Sequence, residues 1–183
     1  VSYCATCDGY FFKDGKKVIV VGGGNTAVTD ALYLHNLGAK VTLVHWRDSL
    51  RAEARLQESL KQTGIPVLWN SEVRELHGDK VVRSVKIVEK DSGAALGMAV
   101  DGVFVAIGYI PNNEIAKQLG LQLDDMGYIK TDLATMKTSQ PRVYAAGDIT
   151  GAPKQVVVAV AQGSTAAMTA FEELQGEQVR TAI

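Results

Sequence analysis

The stretch KVIVVGGGNTAV, residues 17–28, decides how this chain folds. Five residues rich in β-branched side chains read as a buried strand, three glycines as a tight turn, and the residues behind them take up a helical period. Val28, Leu32, Leu34 and Leu37 carry that period, and Gly38 ends it. KVTLVH, residues 40–45, returns to strand character, so residues 17–45 form one βαβ unit of the length a parallel crossover needs. Inside the turn, Gly22, Gly24 and Ala27 spell G-x-G-x-x-A, with Asn25 and Thr26 between the second glycine and the alanine. The first glycine makes the turn, the second lets backbone approach a pyrophosphate, and the alanine lets helix and strand pack closely. A pyrophosphate would then meet the free N–H groups and positive dipole end of the helix. The expectation is a Rossmann-like dinucleotide site.

The end of the second strand bears on which dinucleotide. A site selective for NAD places Asp or Glu there to hold the ribose hydroxyls. This chain has His45, followed by Trp46, Arg47 and Asp48, with Arg51 four residues beyond Arg47. Cations in place of a carboxylate suit a 2′-phosphate, so the expectation is NADPH, with NADH as the alternative nucleotide.

Working outward, residues 51–63 read as a second helix closed by Gly64 and Pro66. Residues 67–105 are strand-rich, with turn signals at Gly78-Asp79 and Asp91-Ser92-Gly93, and suggest a small antiparallel meander that returns to the sheet at DGVFVAIG. The character changes near residues 109–113. Beyond lie a short helix near 114–119, strands near 128–130 and at RVYAA (142–146), a Gly-Asp pair, and a long helix near 155–174. The fold class expected is α/β: a nucleotide-binding domain over residues 1–110, and part of a second α/β domain over 111–183.

Composition narrows the function. With 46% hydrophobic residues the chain can bury a core, and 19 basic against 20 acidic residues give a net charge of -1. That lacks the basic footprint of a nucleic-acid binder. No apolar run approaches the ~20 residues of a membrane span. The expectation is a soluble, cytoplasmic protein with small-molecule or protein partners, and neither nucleic acid nor membrane among them.

The two cysteines, Cys4 and Cys7, stand in CATCD directly before Asp8. C-x-x-C spacing commonly lowers one thiol pKa and yields the thiolate that disulfide exchange requires. Asp8 could carry the proton. Half of a zinc site and an inert pair are the competing readings. The three histidines, His35, His45 and His77, are scattered with no partner pair, so no metal is expected.

CATCD, GGGNTA, HWRDSLRA, GVFVAIGYIPN and VYAAGDI, in this order, resemble low-molecular-weight thioredoxin reductases of the pyridine nucleotide-disulfide oxidoreductase class. The resemblance runs over essentially the whole chain. It implies that Cys4 and Cys7 are the redox disulfide, with Cys7 meeting the flavin, Cys4 attacking the partner's disulfide, and Asp8 the nearby acid. It also implies that Ile107 and Gly108 border the nicotinamide nucleotide. Gly147 and Asp148 would bind FAD through its ribityl hydroxyls, with Lys154, Gln155 and Val156 beside the flavin ring. The implied activity carries electrons from NADPH through FAD to the dithiol and on to thioredoxin or a thioredoxin-like protein, in a homodimeric parent.

Two departures stand out. Trp46 occupies a position where the family usually has Arg, and no FAD glycine loop precedes Cys4. The chain therefore reads as a fragment lacking the first half of the FAD domain, inactive alone. The alternatives are a non-catalytic dinucleotide-binding redox sensor and a reductase of a peroxiredoxin-type partner.

Overall fold

The structure, a computed structural model, describes residues 1–181, and side chains through residue 176. It divides into two compact units, Val1–Gly108 and Tyr109–Ile183.

The first unit is built on β1 (Lys17–Val21), α2 (Asn25–Asn36) and β2 (Lys40–Val44), preceded by a single helical turn, α1 (Ala5–Asp8). After α3 (Ala54–Thr63) come β3 (Val67–Leu68), β4 (Ser71–Gly78), β5 (Val82–Glu89), β6 (Ala95–Ala99) and β7 (Gly102–Val105). The order β3-β2-β1-β7 makes a parallel sheet, and β4-β5-β6 a separate antiparallel one. The fold is α/β with both kinds of sheet, as the sequence suggests.

Strand alternation explains how the layers meet. Val18 and Val20 on β1, Val41 and Leu43 on β2 and Phe104 on β7 face one way, onto Ala27, Val28, Ala31 and Leu34 of α2 and Leu60 of α3. Ile19, Val44 and Val103 face the other way, onto Val85 and Ile87 of the antiparallel sheet. A parallel strand covered on both faces must be apolar at every central position, which is why KVIVV has no polar residue between its ends. Small residues at 27 and 31 let α2 lie close to the sheet.

β1 leads to β2 and β3 on one side, and its other neighbour is β7, so the strand order switches direction between β1 and β7. The crevice beyond the carboxyl ends of those strands is where doubly wound sheets bind ligands. Ser2 extends the sheet at β7: it pairs with Phe104 in parallel register, donating to the Val103 carbonyl and accepting from the Val105 N–H. Residues 3 and 4 therefore leave the sheet at the same end as the glycine turn.

Asp30 on α2 is partly buried, and burial pushes its carboxyl up to about 6. Its neutral form is no burden below the ordinary carboxylate range. The cost grows as pH rises through the folded value, because the folded state must then hold a poorly hydrated charge. Asp30→Asn should therefore raise the melting temperature by a few degrees near pH 8, on the order of 2 kcal/mol or less, and change it little near pH 4. Thermal melts of both proteins at the two pH values check this.

The second unit holds α4 (Glu114–Gln118), α5 (Val156–Thr181) and a small core of Ala116, Leu121, Ile129 and Ala145. The strands expected at 128–130 and 142–146 form only single bridges, Leu123 with Ile129 and Lys137 with Tyr144. Left-handed backbone at Met136 and Arg142 (φ 57° and 60°) interrupts the extended runs that a ladder needs. The helix expected over 51–63 begins three residues later, because the Arg51 and Ala52 N–H groups both donate to the Gly23 carbonyl. Among the described residues, no helix is long and apolar enough to cross a membrane.

Candidate functional site

The glycine turn is held from beneath. Gly22 donates to the Val44 carbonyl at 3.0 Å and has φ 148°, and a side chain there would press on the Ala106 backbone. Gly23 lies directly over the His45 ring, which fills the space a Cβ would need. Gly24 has open space around its Cα and precedes the first residue of α2, so the first N–H groups of the helix face outward without intrahelical acceptors. Ala27 is fully buried under the turn. Asn25 and Thr26 are exposed at the helix start, and Asn25 is locked to Glu53 by two reciprocal bonds of 2.8 Å. Glu53 thus ties the start of α3 to the start of α2.

The structure places the His45 side chain behind this turn. It is 2% exposed, and its Nε2–H donates to the Ser49 carbonyl at 3.0 Å while Nδ1 has no hydrogen-bond partner among the described residues. Burial, aided by the nearby Arg47 and Arg51, lowers its pKa, so the ring is neutral at pH 7. His45 braces the turn and the loop after β2, and it is that loop which presents Trp46, Arg47 and Arg51. The Arg47 guanidinium lies 4.5 Å from the Trp46 ring centre. Gly22, Trp46, Arg51, Ser71, Glu72 and Ile107 border one cavity of about 390 Å³ at the carboxyl end of the sheet. Glu72 is paired with Arg74 at 2.7 Å. Gly108, with φ 104°, closes the unit just after Ile107.

Cys4 and Cys7 are joined in a disulfide. Cys4 caps α1: its Sγ accepts the Cys7 N–H at 3.1 Å and lies 3.3 Å from the Thr6 hydroxyl. Both contacts favour negative charge on that sulfur. Ser2, 5% exposed, donates to Asp8 Oδ2 at 2.7 Å and accepts the Cys4 N–H at 3.1 Å. One buried hydroxyl therefore fixes the acid and the first cysteine to β7. Gly9, just after α1, sits close against Tyr33 and Leu34 of α2 and Leu37 at its end.

In the second unit Gly147, with φ 81°, opens a short 3-10 turn, Gly147–Thr150. Gln162 of α5 holds that turn by accepting from the Gly147 N–H at 2.7 Å and the Thr150 hydroxyl at 3.2 Å. Asp148 is exposed and borders a cavity of about 300 Å³ with Tyr109, Ile110, Tyr128, Ile149 and Lys154. The Lys154 ammonium sits over both the Tyr109 and Tyr128 rings, at 4.9 and 4.8 Å. Gln155 and Val156 stand exposed where α5 begins, and the Gln155 carbonyl accepts the Val158 and Ala159 N–H groups.

The Cys4–Cys7 disulfide and the glycine turn both lie toward the carboxyl end of the parallel sheet. The profile of the pyridine nucleotide-disulphide oxidoreductase family matches residues 1–163. The chain belongs to this family. Relatives include the thioredoxin reductase of Listeria monocytogenes serovar 1/2a, 44% identical over 96% of this chain and 56% of its own length. That of Bacillus subtilis strain 168 is 41% identical, with the same coverage. The solved structure of thioredoxin reductase from Streptococcus pyogenes MGAS5005 superposes with a TM-score of 0.85 at 37% identity, over 96% of this chain and 57% of that one. The enzyme from Giardia duodenalis gives 0.80 at 36% identity, over 95% and 57%. The chain spans about half the length of these relatives.

The sequence motifs mark these loops but not the residues that support them. Ser2, Glu53 and Gln162 carry no motif signal of their own. Each acts through a partner that the chain order does not announce. Gly23 is visible as the middle of a glycine run, yet only its contact with His45 explains why it cannot be another residue.

Proposed function

We propose that these residues supply the NADPH-binding and dithiol-bearing part of a thioredoxin reductase. The observation that carries the reading is a polarised Cys4–Cys7 pair, with a held carboxylate, at the same end of the sheet as the dinucleotide cradle. The cradle suits a pyrophosphate: close-packed backbone at Gly22 and Gly23, open space over Gly24, outward helix N–H groups, and arginines at the ribose end that have no carboxylate partner among the described residues. Gly22, Gly24, Asn25, Thr26 and Ala27 would hold the phosphates of NADPH, Trp46, Arg47 and Arg51 its adenosine end, and Ile107 and Gly108 the nicotinamide side. An exposed carboxylate beside aromatic and apolar groups suits a hydroxylated, ring-bearing ligand, so Gly147, Asp148, Lys154, Gln155 and Val156 would hold part of FAD. When bound, the two cofactors supply an electron pair for the disulfide.

The chain's own residues perform the exchange. Reduction breaks the Cys4–Cys7 bond and leaves two thiols. The Cys4 thiolate, stabilised by the Cys7 N–H and the Thr6 hydroxyl, attacks a disulfide of thioredoxin, forming a mixed disulfide and releasing one partner thiolate. Cys7 then attacks Cys4 Sγ, re-forming the intramolecular bond and releasing the second thiolate. Asp8, oriented by Ser2, moves a proton between the leaving sulfur and water. A reducing, cytoplasmic setting belongs to the same reading.

This step needs no bound cofactor. The chain, reduced chemically and freed of reductant, is expected to convert about one oxidised thioredoxin per chain to its dithiol. Thiol counting on separated thioredoxin reads the result. Two thiols gained per chain support the proposal, and none favours a redox-sensing module.

A further inference from the structure

At the ribose end of the cradle the chain has Trp46 where the resemblance leads one to expect a further arginine beside Arg47 and Arg51. The structure brings another cation to that ring. Lys90, in the turn after β5, places its ammonium 5.6 Å from the Trp46 ring centre, and the Arg47 guanidinium lies 4.5 Å from the same centre. This is not a chance approach of a loose side chain. The Lys90 N–H donates to the Asn70 carbonyl at 2.7 Å, and the Asn70 N–H donates to the Arg47 carbonyl at 3.1 Å. Ser71, next in line, donates from its N–H to the His45 carbonyl. The turn that carries Lys90 is thus pinned to the loop that carries Trp46 and Arg47.

The charges there are uncommitted. None of Arg47, Arg51 and Lys90 makes an ion pair with a carboxylate among the described residues. Glu72, which borders the same cavity as Trp46 and Arg51, is neutralised by Arg74. A cation held over an aromatic face is restrained at small cost, ready for an anion. We propose that Lys90 is a specificity-determining residue of the dinucleotide site: its ammonium takes the place of the arginine replaced by Trp46 and binds the 2′-phosphate monoester of the cofactor. The inference rests on the reading of the glycine turn as an NADPH site.

Calorimetric titration of the chain with NADP⁺ and NAD⁺ tests both levels separately. The unmodified chain is expected to bind NADP⁺ more tightly. Lys90→Gln should weaken NADP⁺ by about fivefold, the upper end for an exposed charge pair, and Lys90→Glu by roughly tenfold or more. NAD⁺ affinity should stay unchanged in both, and Lys90→Arg should keep the preference. Adding Trp46→Arg to Lys90→Gln should restore NADP⁺ binding. If the unmodified chain prefers NADP⁺ and Lys90→Glu keeps that affinity, Lys90 is only a solvated lysine and the inference fails alone. Equal losses of NADP⁺ and NAD⁺ overturn it too, as the sign of a structural role. Tighter NAD⁺ binding by the unmodified chain overturns the NADPH reading and Lys90 with it.

Discussion

Gly23→Ala should abolish dinucleotide binding and destabilise the first unit, whereas Gly24→Ala should abolish binding and leave the fold nearly intact. The two positions are adjacent, but they meet different surroundings. A methyl group on Gly23 would enter the His45 ring, which cannot swing away: it is 2% exposed and its Nε2–H is bonded to Ser49. The Gly23 carbonyl also receives the Arg51 and Ala52 N–H groups, so any shift of the turn drags the arginine loop with it. Overpacking of this kind costs roughly 1–3 kcal/mol, and the displaced loop takes the ribose-end cations out of place. A methyl group on Gly24 would meet no atom within 4 Å, and the backbone there has an ordinary φ of -94°. Exchanging glycine for alanine at a helix N-cap costs up to about 1 kcal/mol. The methyl would instead occupy the space through which a pyrophosphate approaches the backbone. Melting temperature and nucleotide titration, measured together on both variants, check the contrast.

The other large effect concerns the sulfurs. Cys4→Ser should remove thioredoxin reduction by about a thousandfold or more, since the attacking thiolate is lost outright. Cys7→Ser should stop turnover as completely but at a different stage, because attack by Cys4 remains possible and release does not. Ser2→Ala should have a smaller effect, since Asp8 and Cys4 keep their places on α1 but lose the hydroxyl that joins them. The rate of thioredoxin thiol appearance from pre-reduced protein distinguishes the three.

How much of this can be read from residues alone depends on the range of the interactions. The βαβ unit at 17–45 is legible because alternation, helical period and glycine turn are all local signals. The antiparallel meander is legible for the same reason, its turns being marked by Gly78 and Gly93. A reading of the loop after β2 alone would place His45 at the ligand, since the motif fixes its position along the chain and not the direction of its side chain. The ring points inward because the neighbouring glycine leaves room for it. Lys90 lies more than forty positions from Trp46 and is brought there by the pairing of Asn70 with both segments. The short bridges at Ile129 and Tyr144 are expected as strands because their composition is strand-like, yet a strand forms only where a neighbour runs beside it.

The proposed division of labour between Cys4 and Cys7 can be tested directly. Each single cysteine-to-serine variant, reduced and mixed with oxidised thioredoxin, can be followed by intact mass spectrometry under non-reducing conditions. The predicted result is a stoichiometric covalent adduct of chain plus thioredoxin for Cys7→Ser, lost on reduction, and none for Cys4→Ser. An adduct formed only by Cys4→Ser, or by neither variant, would contradict it.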